Sequence, residues 1–481
     1  MSLSTAQEAL VEKSRHLRLH SRTDGRKLAY HSLFGNLAWL DDDLYRYLEA
    51  SSGSASRARL ESEIGADAAS VLWSSYFFVE NPSEERELID GWLAERESQL
   101  QTGYFLGGLQ ISSSNVCNFA CSYCFADASD RRSHVRQEVA AGPQNISFEL
   151  AAQAIDEVRG IAARHGRDRI AVKFLGREPL VNWRVTHQLL EAYDDGKVQW
   201  AMTTNGSLLK PDVAAALARH DVRIMISLDG PPAVNNAFRV WKGVHGGSTY
   251  EAIEASLRNL HEVGHPFGVS TVVSRATDFP TMTAFVDRLT EYGVREIELT
   301  LAMQVADSRA QDRYPSPRDF ATDLVALYEH AQSRGLLVHG DWVDPFHRLL
   351  TTHKFRHEPR VDRPLGASCT ATEHQISLEP SGDLFPCRAM SLHYGHIGDL
   401  ASVLGGESYR QVAMRTYYNV PFCRGCELEG HCQGACLGSS EEANGDIYQP
   451  QRDYCGVYIA SSRLLLERLD GTSLGMERPN V

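Results

Sequence analysis

Residues 106–127 read LGGLQISSSNVCNFACSYCFAD. The apolar run at the front of this stretch, set between glycines and serines, predicts a short buried strand. A cysteine-rich loop follows at once: Cys117, Cys121 and Cys124 are separated by three and then two residues, a spacing that lets three thiolates reach one centre. Soft thiolates suit the iron of iron–sulfur clusters, and three ligands on a four-iron cube leave one iron open for chemistry. Zinc is the competing reading, but structural zinc takes four closed ligands and no histidine lies in this loop.

Downstream to about residue 302, further apolar runs recur: RIAVKFLG, VQWAMTTNG, VRIMISLDG, FGVSTVVS and REIELTLAM. With the first run they predict six strands, and the gaps between them are long enough for one crossover helix each. Six strands alternating with helices imply a parallel sheet and an α/β fold, a (β/α)6 open barrel. Ligand-binding groups then belong at the C-terminal strand ends.

The CxxxCxxC loop, with Phe119, Tyr123 and Phe125 around it, resembles the signature of the radical S-adenosylmethionine (SAM) superfamily, whose fold is a (β/α)6 partial TIM barrel. The resemblance implies that the open iron is chelated by the amine and carboxylate of SAM. One-electron reduction then gives a 5′-deoxyadenosyl radical that abstracts substrate hydrogen. Supporting segments follow in the family's order. In FLGREPL, Gly176, Arg177 and Glu178 stand where relatives have Gly-Gly-Glu, and Glu178 would receive the methionine ammonium; Arg177 departs from that pattern. TTNGSLL resembles the ribose-side segment and offers Thr204 and Asn205, while ISLDGP supplies Ser227 and Asp229. Arg239 matches an arginine that could pair with the cofactor carboxylate. Asn-Gly and Asp-Gly-Pro are also ordinary turn formers, so their order after Cys117 carries the argument. The usual intervening histidine is replaced by Val234-Asn235-Asn236. Phe125, next to Cys124, completes the expected cofactor contacts.

Cys369, Cys387, Cys423, Cys426, Cys432, Cys436 and Cys455 account for every remaining cysteine of the ten. Their spacing, with GDLFPC before Cys387 and the glycine in CQGAC, resembles the seven-cysteine SPASM domain. That resemblance implies two auxiliary [4Fe–4S] clusters, one on Cys423, Cys426, Cys432 and Cys455, the other on Cys369, Cys387 and Cys436. Three clusters in all are expected. The second auxiliary cluster lacks a fourth cysteine, and His374 and His396 are candidates for that place. Seven cysteines do not divide into two four-cysteine zinc sites.

Toward the N-terminus, residues 27–41 alternate like a hairpin around Gly35-Asn36. Helices are expected from DDDLYRYLEA, over 56–75 and over 83–101, with a β-rich run at Tyr76–Val79. This unit resembles the winged-helix-like peptide-recognition domain fused to many peptide maturases, where a leader peptide would add a strand. The expected organisation is an α+β domain over 1–102, the barrel over 103–302, a bridge over 303–365, and the SPASM domain over 366–481. The last of these includes a helix at GVYIASSRLLLERLDG and a loose tail.

Charge narrows the partners. Lys plus Arg total 48 against 62 Asp plus Glu, a net charge of -14, which repels phosphate backbones and anionic membranes. No nucleic acid or membrane partner is expected. No apolar run of about 18 residues occurs, so a cytoplasmic location is expected; cytosolic cysteines stay reduced, as metal ligands require.

The family resemblance implies an oxidoreductase that modifies a ribosomally made precursor peptide or protein, through C–C or thioether crosslinks, using an electron donor such as flavodoxin or ferredoxin. Other readings are a small-molecule dehydrogenase or epimerase, an anaerobic sulfatase maturase and a non-catalytic iron–sulfur scaffold. The maturase places an aspartate base after the second SPASM-region cysteine, where this chain has Arg388. No catalytic acid or base is assigned, because hydrogen abstraction depends mainly on position.

Overall fold

Apolar runs at period two give the N-terminal unit two small antiparallel sheets. Its strands are β1 (Leu10–Lys13), β2 (Leu17–Ser21), β3 (Lys27–His31), β4 (Gly35–Leu40), β5 (Ala55–Ser56) and β6 (Phe78–Val79). They assemble in the orders β5-β1-β6 and β2-β3-β4. The computed structural model describes residues 10–469 except 82, 140–143, 244–245, 275, 304–315, 353–368 and 433, so the expected tail and part of the bridge lie outside the described residues.

The hairpin turn falls at Ser32–Phe34, and Gly35-Asn36 instead open β4. The reason is the His31 ring, whose Nδ1 accepts the amides of Leu33 at 3.3 Å and Phe34 at 3.1 Å and fixes the reversal early. Asp41 caps the helix Asp42–Ala50 by accepting the Leu44 amide at 2.7 Å. Leu44 and Leu48, one turn apart, then bury against Val11, Leu60, Leu72 and Phe77. The helix expected over 56–75 is two, Arg57–Ile64 and Ala66–Ser74, interrupted at Gly65.

The six apolar runs of the barrel form β7 (Gly108–Ile111), β8 (Ile170–Phe174), β9 (Val198–Thr204), β10 (Arg223–Ser227), β11 (Phe267–Val273) and β12 (Glu296–Leu301). They are parallel neighbours in that order. Helices cover them between strands; in Phe148–Arg164, Ser147 caps the start and Ala151, Ala154, Ile155 and Val158 give the buried stripe.

The sheet does not stop at six strands. The stretch read as a bridge contributes β13 (Leu337–His339), parallel to β12. On the other side β14 (Gln375–Leu378) pairs in parallel with β7 and continues through β15 (Asp383–Phe385) and β16 (Gly395–His396), giving ten strands among the described residues. The cysteine-rich C-terminal segment is therefore tied by backbone hydrogen bonds to the strand that leads into the Cys117 loop.

The N-terminal unit rests on the same segment. His16 meets Glu429 at 3.1 Å, Arg18 donates to the Cys426 carbonyl at 3.3 Å and His20 meets Glu467 at 2.7 Å. No helix of the described residues is long and apolar enough to cross a membrane.

Candidate functional site

The loop after β7 is held by backbone pairing to residues that follow β10. Ala120 donates to Val240 at 2.8 Å, Ser122 to Phe238 at 3.1 Å and Lys242 to Asn118 at 2.9 Å. Phe119 packs edge-on against Trp241, with ring centres 4.8 Å apart. This pairing brings the Arg239 segment beside the three cysteines. Burial pushes the Cys117 thiol up to about 11 and the Cys121 thiol up to about 12, and the thiol of Cys124 adds to both. Phe125 opens the helix Phe125–Arg132 directly behind Cys124.

Glu178, only 1% exposed, stands at the C-terminal end of β8. Its carboxylate accepts the Leu180 amide at 3.0 Å, the Thr204 hydroxyl at 2.6 Å and the Asn205 amide at 2.8 Å. Burial raises its pKa, and the three hydrogen bonds oppose the rise. The Asn205 side-chain amide in turn reaches Cys117 Sγ at 3.8 Å and Asn118 Oδ1 at 2.8 Å. Glu178, Thr204, Asn205 and Cys117, from three different loops, thus converge. Gly176 sits at φ +154°, and a Cβ there would stand 2.8 Å from Ser112 Oγ, so the close approach of β7 and β8 requires glycine.

Ser227 ends β10, and Asp229 beyond it binds the Arg239 guanidinium through Nε at 2.9 Å and Nη2 at 2.8 Å. The Tyr123 hydroxyl also donates to Asp229, and the Val272 amide reaches it at 3.0 Å. Arg239 lies 5.5 Å from the Tyr123 ring centre. The Arg239 guanidinium therefore braces the cysteine loop through Asp229.

Arg177 pairs with both Asp127 and Asp130 on the helix that follows Cys124. Asp130 also binds Arg388, the residue after Cys387, at 2.7 Å, and Arg136 binds Glu379 at 3.1 Å. Arg177, Asp130, Arg388, Arg136 and Glu379 line a cavity of about 240 Å³ between the cysteine loop and β15.

All ten cysteines are free thiols, and the C-terminal seven separate into two groups by mutual influence. Burial raises Cys387, and then Cys369 and Cys436 raise it further. Cys423 is pushed up to about 12 by burial and by Cys432 and Cys426; Cys455 is raised by burial and by Cys432, Cys423 and Cys426. Among the described residues no three His, Cys, Asp or Glu side chains converge tightly enough for a single ion. Soft sulfur groups free of disulfides, of which Cys423 and Cys432 are buried and the others half-buried, suit the iron of iron–sulfur clusters. His396 is occupied with the carbonyls of Ile397 at 2.6 Å and Ser381 at 3.0 Å. His374 lends its carbonyl to Gly108 at 2.7 Å. Asp341, just past β13, is the acid that acts on Cys436.

Residues 111–284 match the model of the Radical SAM superfamily. The chain carries a radical SAM domain. The radical SAM cyclopropyl synthase TigE of Paramaledivibacter caminithermalis is 27% identical over 473 residues, 95% of each chain. A cysteine-type anaerobic sulfatase-maturating enzyme of Clostridium perfringens is 20% identical over 363 residues, 72% of this chain and 92% of the relative. In fold, the chain resembles Streptococcus suis SuiB bound to its precursor peptide SuiA, with TM-score 0.56 and 16% identity, over 92% of this chain and 99% of SuiB. It also resembles native anSMEcpe with bound AdoMet, with TM-score 0.58 and 17% identity, over 75% of this chain and 97% of that one.

Sequence reasoning missed Tyr123 as a partner of Asp229, Asp130 as the hub of the arginine network, and Asp341 and Arg415 near the C-terminal cysteines. For Asp341 a signal existed: an acid directly after an apolar run, in LLVHGDW. The others belong to no motif and become visible only when distant segments meet.

Proposed function

We propose that this radical SAM enzyme forms a carbon–carbon bond within a ribosomally made peptide, closing a ring on a substrate residue. The observation that carries the proposal is the similarity to the cyclopropyl synthase along 95% of both chains, which spans the N-terminal unit and the C-terminal cysteines as well as the barrel. The likeness in fold to SuiB over its whole length supports a peptide substrate, and the small N-terminal sheets suit strand addition by a leader peptide.

In this reading Cys117, Cys121 and Cys124 hold a [4Fe–4S] cluster with SAM at the open iron, a pair that supplies hydrogen-abstracting radical chemistry when reduced. Gly176 and Glu178 border the methionine end of the cofactor, and Thr204, Asn205 and Ser227 border the ribose. Phe125 flanks the loop, and Arg239 positions it through Asp229 and Tyr123. Ring closure removes two hydrogens, so a second electron needs an acceptor, a role the two C-terminal thiol groups suit as auxiliary [4Fe–4S] sites. A low-potential donor such as flavodoxin or ferredoxin supplies the first electron. A sulfatase-maturase reaction is disfavoured, because Arg388 occupies the position after Cys387 and is itself ion-paired.

The test is anaerobic turnover of the reconstituted enzyme with SAM, reductant and the short peptide encoded beside its gene. Formation of 5′-deoxyadenosine with a peptide lighter by two hydrogens supports the reading. Steady 5′-deoxyadenosine formation that leaves peptide unchanged but consumes a small-molecule substrate overturns it.

A further inference from the structure

Arg415 is 1% exposed and is among the largest fully buried side chains of the described residues. It bonds the chain between Cys432 of one C-terminal thiol group and Cys436 of the other. Its Nε donates to the Ile447 carbonyl at 2.6 Å and its Nη2 to the Gly434 carbonyl at 3.2 Å. Gly434 is the glycine of CQGAC, at φ +82°; a Cβ there would meet Arg415 Nη2 at 2.7 Å and Cys423 Sγ at 3.3 Å. The guanidinium and the Cys423 sulfur therefore flank one glycine, and any side chain at that position would force them apart. After burial, the groups that act most on Arg415 are the Cys423, Cys369 and Cys432 side chains. Reciprocally, Arg415 acts on Cys369 in one group and on Cys423, Cys432 and Cys455 in the other.

A buried cation costs several kcal/mol unless anionic groups face it. Thiolate-ligated iron–sulfur clusters are net anionic and become more so on reduction, and their potentials follow local charge and burial. We propose that Arg415 is the shared counter-cation of the two auxiliary clusters and holds up the reduction potentials of both. The inference rests on the three-cluster reading above. Its role is positioning and electrostatic: it keeps both sites able to take the electron left by substrate oxidation, and it makes Gly434 obligatory.

The test is redox titration followed by electron paramagnetic resonance on the reconstituted holoenzyme, comparing wild type with Arg415→Gln and Arg415→Lys. Iron and sulfide are counted first, so that a wild-type protein short of three clusters overturns the cluster reading, and this inference with it, before any titration. At a fixed potential, Arg415→Gln is expected to lower the reduced-to-oxidised ratio of both auxiliary sites on the order of tenfold, equivalent to ~59 mV for one electron. The radical SAM site is expected to stay unchanged. Arg415→Lys, which keeps the charge and loses the fork, is expected to restore iron content and both potentials. If Arg415→Gln fails to load iron, the lysine variant decides alone: loading with wild-type potentials supports the counter-cation. A lysine variant that behaves like glutamine, or potentials that do not move in Arg415→Gln, overturns it.

Discussion

Arg388, directly after Cys387, binds Asp130, five residues after Phe125 on the helix that follows Cys124, at 2.7 Å. Asp130 also binds Arg177. One carboxylate thus joins the loop after β8, the helix behind the three-cysteine loop and the cysteine-rich C-terminal segment. The pair is reinforced at its Arg388 end, where the guanidinium donates to Ser129 Oγ at 2.8 Å and the Arg388 amide donates to Gln110 at 2.8 Å.

Removing Arg388 strips one of the guanidinium partners of Asp130 and leaves Arg177 to hold it. Arg388→Gln, at a position 2% exposed, is expected to cost about 1–3 kcal/mol through the buried hydrogen bonds it loses. Asp130→Asn combined with it should cost clearly less than the two single changes added together, because both break one network. Denaturant melts of the four proteins of the cycle measure this; strict additivity contradicts the hub role of Asp130.

Arg177 stands where glycine is usual in related sequences, and the structure accounts for it through Asp127 and Asp130. Arg177→Gly should therefore lower thermal stability while leaving SAM affinity within about threefold, a binding change under 1 kcal/mol. Calorimetric titration with SAM checks it, and a large loss of affinity would place the guanidinium on the cofactor instead.

Glu178→Gln replaces an acceptor of three hydrogen bonds with an amide that must point a donor at one of those groups. The expected cost is about 1–3 kcal/mol in stability, together with loss of measurable SAM binding in the iron-loaded protein. Retained SAM binding contradicts the assignment of Glu178 to the cofactor.

At the far end of the barrel, Glu296 on β12 joins Arg223 at 3.0 Å and His339 of β13 at 3.2 Å. Burial alone would raise Glu296, but hydrogen bonds from His339 and Arg223 outweigh it and hold the carboxyl down at about 2. The hydrogen bond to Glu296 holds His339 above its usual 6.5. The depressed acid stabilises the fold above its unfolded pKa near 4.5, and that contribution is lost as pH falls toward 2. The raised histidine stabilises it below 6.5, and that contribution is lost as pH rises through its folded value. The contribution of this clip should therefore be greatest between about pH 4.5 and 6.5, and His339→Gln should remove the alkaline-side loss and also weaken the acid-side one, because Glu296 loses one of the hydrogen bonds that hold it down. Thermal melts across pH test this.

Strong apolar periodicity made β7 to β12 legible, and cysteine spacing alone divided the ten thiols into a loop of three and a C-terminal seven. Weak or very short patterns hid β1, LVEK, and β13, LVH. The hairpin turn was misplaced because a histidine ring, not the Gly-Asn pair, fixes it. Arg177 and Arg388 looked like two separate departures from related sequences; they are partners of the same aspartate, a relationship that sequence order conceals. Arg415 carried no motif, since its meaning depends on two groups of cysteines meeting around it.

The most direct test of the central claim is iron and sulfide counting on the anaerobically reconstituted protein, paired with chromatography for 5′-deoxyadenosine after reduction in the presence of SAM. The account predicts about twelve irons per chain, as three four-iron clusters require, with SAM cleaved by wild type and not by Cys117→Ala, which keeps about eight. Stoichiometric zinc in place of iron, or a fully loaded protein that leaves SAM intact, contradicts it.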